Sequence, residues 1–92
     1  DNIHPSKFLI NNIFPNPFNP TTTISYSIPS PQVVSINIYT LKGEKVQTLL
    51  NQFKTAGNYN INWDASSFAS GVYILQLQGT QSSVTQKITL SK

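Results

Sequence analysis

The chain has 92 residues and a net charge of +3, and it contains neither cysteine nor methionine. This length allows one domain, the missing cysteines exclude a disulfide framework, and the missing methionine indicates a piece of a longer protein. All six positive charges are scattered lysines and no apolar run reaches membrane-spanning length, so we expect neither nucleic-acid binding nor membrane insertion.

The first elements along the chain are a tail and a series of strands. We expect residues 1–7 to be a linker or flexible N-terminal tail, and residues 8–92 to form the domain. Apolar and polar residues alternate with a period of two, as in Thr23–Ile28 and Asn58–Trp63, which is the pattern of half-buried strands. The predicted strands are 8–13, 23–28, 34–38, 45–50, 58–63, 73–77 and 84–90.

Turn residues separate these runs. Pro29 and Pro31 end one strand, Leu41–Glu44 predicts a hairpin turn, and Thr55–Asn58 predicts a second turn. Longer reversals are expected at 64–71 and 79–83. Residues 45–53 come closest to a helical spacing, but the flanking turns favour a strand.

About seven short strands need two facing sheets to cover their apolar faces. The sequence therefore predicts an all-β fold, an Ig-like antiparallel β-sandwich. Trp63 should organise its core, together with the other apolar residues of inward parity: Ile24, Tyr26, Ile36, Ile38, Ile61, Tyr73 and Leu75.

Residues that could carry chemistry are few. His4 is the single histidine and lies in the tail, and the acids are Asp1, Glu44 and Asp64. Glu44 and Asp64 are interpreted as turn residues that accept backbone N–H bonds. We expect no catalytic residue, no metal site and no cofactor, because too few ligands are present and no base is placed beside a nucleophile.

A proline-rich segment, Pro15 to Pro20, reads PNPFNP. Each proline fixes φ and extends the residue before it, and the asparagine side chains can satisfy nearby backbone groups. We interpret the segment as a rigid arm whose Phe18 plugs one end of the sandwich. A direct contact between the arm and a partner is the alternative.

Several segments together resemble a known family. The chain reads FPNPFNPTTTISY at 14–26, SINIYTLKGEKVQTLL at 35–50, AGNYNINWDAS at 56–66, SGVYILQL at 70–77 and QKITLSK at its end. This order resembles the C-terminal sorting domain of the type IX secretion system, the Por secretion tail of type A, which is Ig-like and similar to the flagellar hook-capping protein's Ig-like domain. The residues that match the family motif are Asn16, Pro17, Phe18, Asn19, Pro20, Gly71 and Tyr73. Thr40, where an acid is common, and Ala65, where glycine is usual, depart from the pattern.

The resemblance implies a non-catalytic secretion signal that targets an attached cargo protein, an enzyme or an adhesin, across the outer membrane. The implied partners are the outer-membrane translocon and a sortase-like surface protease that cuts at the upstream linker. The implied destination is the cell surface or the medium, reached through the periplasm. The ending Lys-x-x-Leu-x-Lys makes four residues the candidates for sorting recognition: Lys87, Ile88, Leu90 and Lys92.

Two other functions fit the fold. A carbohydrate-binding or adhesive β-sandwich module would stack sugars on surface aromatics, for which Tyr39, Phe53 and Phe68 are the candidates. An inert spacer would need no site at all.

Overall fold

The computed structural model describes residues 7–92, so Asp1, His4 and most of the expected tail lie outside the described residues. Seven strands follow one another along these residues, which confirms the predicted all-β class. They are β1 (Leu9–Phe14), β2 (Thr21–Ile28), β3 (Gln32–Thr40), β4 (Lys45–Lys54), β5 (Gly57–Asp64), β6 (Gly71–Gln78) and β7 (Ser83–Leu90).

The strands form two sheets, and every strand pair is antiparallel. One sheet has the order β1-β2-β5, and the other has the order β4-β3-β6-β7. An immunoglobulin sandwich places its first, second and fifth strands in one sheet and its third, sixth and seventh in the other. The chain follows this arrangement, with the fourth strand added to the second sheet, and the predicted Ig-like sandwich is confirmed.

The core lies between the two sheets, where the inward residues of each strand meet. Trp63 is buried there, as are all the other predicted core residues except Ile61, which is partly buried and packs against the core. The indole N–H of Trp63 on β5 donates to Oε1 of Gln47 on β4 at 2.9 Å. This bond links the two sheets and satisfies the polar atom of the largest buried side chain.

Strand β4 departs most from its predicted form. It runs to Lys54 rather than Leu50, because Phe53 still pairs with Val33 on β3. The pairing of β3 with β4 has two register shifts, each of which adds a residue on β4. The added residues interrupt the alternation of period two, and this explains why the segment resembles a helix in its spacing.

Strand β5 begins one residue earlier than predicted. Gly57 pairs with Ile28 of β2, so the second turn consists of Thr55 and Ala56 alone. The hairpin turn between β3 and β4 lies where it was expected, with Gly43 at φ 90°, a conformation that glycine adopts without strain. There the hydroxyl of Thr40, rather than the Glu44 carboxylate, accepts backbone N–H bonds.

Candidate functional site

The proline-rich arm, residues 15–20, lies along the outer edge of the last strand. The N–H of Phe18 donates to the carbonyl of Thr89, and the N–H of Ser91 donates to the carbonyl of Phe18, each at 2.9 Å. The side chain of Asn16 adds a third bond, in which its Oδ1 accepts from the N–H of Thr89 at 3.0 Å. The two segments that the sequence analysis treated as separate motifs therefore form one unit.

The arm is also fastened at both of its ends. The hydroxyl of Thr22 donates to the carbonyl of Pro15 at 2.7 Å. At the other end, the N–H of Ala65 donates to the carbonyl of Pro20 at 2.9 Å. The side chains of Asn16, Pro17 and Asn19 stay exposed. The arm is therefore bonded to the sandwich at both ends, and it offers these three residues to solvent.

Phe18 plugs the end of the sandwich, as predicted. Its side chain is 2% exposed, and its ring centroid lies 5.4 Å from that of Trp63. Phe68 and Tyr73 pack on the same indole, at 5.8 Å each. The tilted and edge-on ring arrangements are favourable for aromatic pairs, so the arm is anchored by a side chain in the core as well as by its backbone.

Tyr73, a residue of the family motif, closes the loop before β6. Its hydroxyl donates to the carbonyl of Ala69 at 2.6 Å. A tyrosine near the start of the sixth strand that bonds back to the backbone just upstream is the tyrosine corner of Ig-like sandwiches. Gly71, the other motif residue here, is the first residue of β6. Both residues thus shape the loop of residues 65–70, which borders the arm.

The four predicted recognition residues fall into two groups. Ile88 and Leu90 are 0% and 1% exposed, so their side chains belong to the core and hold β7 in place. Lys87 and Lys92 are exposed. A partner of the folded domain can therefore touch the two lysines, while Ile88 and Leu90 act on recognition only by positioning the strand.

Lys92 is tied to the loop of residues 65–70. Its N–H donates to the hydroxyl of Ser70 at 3.0 Å, and its ammonium Nζ donates to the carbonyl of Ser66 at 2.6 Å. These contacts cannot be predicted from the sequence alone, because they depend on where the loop folds back. Of the two lysines, Lys87 is the one whose ammonium group makes no such bond within residues 7–92.

The edge of β7 is only partly open. The main-chain groups of Thr89 and Ser91 point to the arm. Since alternate residues of an edge strand point the same way, the main-chain groups of Thr85 and Lys87 also face outward. No strand among the described residues pairs with them, because β7 pairs with β6 on its other side. The unpaired edge is thus limited to the first half of the strand.

The carboxylate of Asp64 caps the loop that follows β5. It accepts a bond from the Ser66 hydroxyl and another, at 3.0 Å, from the Ser66 N–H. These two bonds lower the pKa of Asp64 below its ordinary value, and the charge of Lys92 adds to the effect. The interpretation of Asp64 as a turn residue that accepts backbone N–H bonds is confirmed.

The surroundings of the arm are lined mainly by neutral groups. The part of the chain that the structure describes contains no group of three or more histidine, cysteine or acidic residues that could hold a metal ion. A shallow cavity of about 300 Å³ opens beside the arm, lined by neutral groups and one acid: Pro15, Thr21, Thr22, Thr23, Asn62 and Asp64. Residues 7–92 include no helix long and apolar enough to cross a membrane.

The three candidate sugar-stacking aromatics do not form a row. Phe68 packs against Trp63 and Tyr73. Phe53 is 61% exposed and pairs with Val33 near one end of β3, whereas Tyr39 lies near the other end of that strand. Six residues of extended chain separate the two positions by about 20 Å. A shared stacking platform is therefore not built from these residues.

Comparison with known proteins bears on this site directly. None of the curated proteins matches the chain in sequence. A family profile described as a secretion system C-terminal sorting domain matches residues 12–91, a range that runs from the strand before the arm to the residue that closes the arm's pairing with β7. The chain therefore belongs to the family of type IX secretion C-terminal sorting domains.

Proposed function

We propose that this domain is a non-catalytic sorting signal that directs an attached cargo protein through the type IX secretion system and across the outer membrane. Membership of the sorting-domain family carries the proposal, since it implies export to the cell surface or secretion. The cargo, an enzyme or an adhesin, precedes the domain, travels through the periplasm, and is separated from it by a sortase-like surface protease that cuts in the upstream linker.

The recognition surface that we propose for the translocon centres on Lys87 and the end of β7. Lys87 is exposed, and its main-chain groups face the open half of the strand edge, where a partner could add a strand of its own. A lysine on an edge strand also discourages pairing between copies of the domain. Ile88 and Leu90 hold the strand in register, and Lys92 contributes by fixing the chain end to the neighbouring loop.

The experiment is a reporter fused in front of residues 1–92, behind a periplasmic export signal, in a type IX-competent host. The intact fusion should leave the cell, and a fusion that lacks residues 86–92 should stay in the periplasm. That deletion also removes Ile88 and Leu90 from the core, so Lys87→Ala and Lys92→Ala are the informative variants. If both folded variants, and the double variant, are exported like the parent, the lysines only prevent strand pairing between copies of the domain. The recognition surface then lies elsewhere.

A further inference from the structure

A row of four side chains crosses the outer face of the four-stranded sheet. Tyr39 on β3 lies opposite Lys45 on β4 and opposite Ile74 on β6, and Ile74 lies opposite Lys87 on β7. Residues directly opposite each other in antiparallel strands share a face, so the order across the sheet is Lys45, Tyr39, Ile74, Lys87. Three strand spacings separate the two lysines, which places them about 14 Å apart with an apolar centre between them.

The apolar centre is partly open to solvent. Ile74 and Tyr39 are half-buried, and Val72, two residues before Ile74 on the same face of β6, is 37% exposed. Tyr39 is held in place by a bond of 3.1 Å from its hydroxyl to Oε1 of Gln76. The bond fixes the position of the Tyr39 ring within the apolar centre.

The charge of this face has one sign. Strands β3, β4, β6 and β7 contain no acidic residue. Of the two acids in the described part of the chain, Glu44 lies in the hairpin turn before β4 and Asp64 ends β5 in the other sheet. Lys45 and Lys87 consequently face solvent without an acidic residue on the strands of their own sheet.

From this row we infer a docking surface for a protein partner that presents carboxylates on both sides of an apolar centre. The inference rests on the proposed sorting function and extends the recognition surface from Lys87 across the sheet to Lys45, on a strand outside the terminal motif. Charge complementarity selects an acidic partner and steers its approach. The buried contact between apolar centres then supplies the binding that exposed ion pairs alone do not.

The same sheet face has a second apolar patch that serves as an internal comparison. Val33 and Phe53 face each other at the far end of β3 and β4, and they are 53% and 61% exposed. This pair is more exposed than the row, but it lies away from Lys87 and from the terminal strand's end. Val33→Thr is thus a matched control for Ile74→Thr, since both changes replace a β-branched aliphatic side chain on one face of the sheet.

The test measures the rate at which the reporter fusion leaves a type IX-competent host. Lys45→Glu should slow release about tenfold, because it places a like charge against the acidic partner. Lys7→Glu makes the same change of net charge at the exposed start of the described chain and should release like the parent. Ile74→Thr should slow release, and Val33→Thr should not. Melting temperatures measured on the purified domains identify any variant that fails to fold, and Lys45→Gln replaces Lys45→Glu in that case.

The outcomes separate the row from the sorting function itself. A parent fusion that stays in the periplasm contradicts the proposed function. If the parent is released and the folded Lys45 and Ile74 variants are released equally fast, only the proposed docking surface is contradicted. If Lys45→Glu and Lys7→Glu slow release equally, the cause is the net charge of the domain, and the proposed docking surface is contradicted. A loss of release caused by Val33→Thr but not by Ile74→Thr would contradict it as well.

Discussion

Phe18 and Thr89 are joined main chain to main chain, by a bond of 2.9 Å from the N–H of Phe18 to the carbonyl of Thr89. Together with the bond from Ser91 to Phe18, it forms a single parallel bridge between the proline-rich arm and β7. Prolines cannot donate to a ladder, yet the arm pairs with the strand because Phe18 retains its N–H and lies at the edge. The arm thereby covers half of an edge that would otherwise be open to pairing with other chains.

The bond between Asn16 and Thr89 can be tested by removing the amide. Asn16→Ala should lower the free energy of unfolding by about 1 kcal/mol, since it deletes the side-chain acceptor of the Thr89 N–H at an exposed position. It should also speed hydrogen exchange at the Thr89 amide. Asn19→Ala, an exposed change in the same arm, should do neither. Exchange at Thr89 that is the same in both variants would contradict the bond between Asn16 and Thr89.

Trp63 should be the residue on which the core depends most. Trp63→Ala removes the ring that contacts Phe18, Phe68 and Tyr73 and also the bond to Gln47, and should cost about 3–5 kcal/mol. That is a large share of the stability of a small domain. Chemical denaturation measures the loss. A midpoint close to that of the parent would contradict the placement of Trp63 between the sheets.

The tyrosine corner can be tested by removing a single oxygen atom, the hydroxyl of Tyr73. Tyr73→Phe removes the hydroxyl that donates to the Ala69 carbonyl and should cost about 1 kcal/mol, while the ring stays packed on Trp63. Tyr59→Phe removes a hydroxyl that bonds the Thr55 carbonyl at an exposed turn and should cost less. Thermal unfolding of the two variants compares the sites, and a greater loss at Tyr59 would show that the corner is not the stronger bond.

Asp64 should make the stability of the loop depend on pH. Because its pKa is lower in the folded chain, the carboxylate stabilises the fold at pH values above its unfolded pKa of about 3.9, and this contribution disappears as the pH falls through the folded pKa. Asp64→Ala should therefore melt below the parent at neutral pH, and the two melting temperatures should converge under acid. A difference that is constant from pH 7 to pH 2 would exclude the carboxylate as its cause.

Strand alternation carries most of what the sequence can predict about this fold. The alternation of apolar and polar residues along β2 and β6 correctly assigns four residues to the core: Ile24, Tyr26, Tyr73 and Leu75. It does so because successive side chains of a half-buried strand point to opposite faces. The register shifts of β4 cannot be predicted from its own sequence, since they depend on the partner strand. The pairing of the arm with β7 cannot be predicted from local pattern either, because the two segments lie at opposite ends of the domain sequence.

The candidate site divides in the same way. The local pattern of the sequence predicts Phe18 as a plug, and the family resemblance makes Lys87 a candidate for recognition. It does not reveal that Lys92 bonds the loop of residues 65–70, or that Lys45 and Lys87 lie in one row, because strand order across a sheet is a property of the tertiary fold.

The most direct test of the account is the location of a reporter that carries residues 1–92 behind a periplasmic export signal. Two hosts are compared, one type IX-competent and one in which the outer-membrane translocon is deleted, with the reporter alone as the control. We expect the fusion to reach the cell surface or medium only in the competent host, and the reporter alone to stay in the periplasm of both. A fusion that folds but stays in the periplasm of the competent host would contradict the sorting function. Binding of that folded domain to polysaccharides, measured by affinity electrophoresis, would then favour the carbohydrate-binding module.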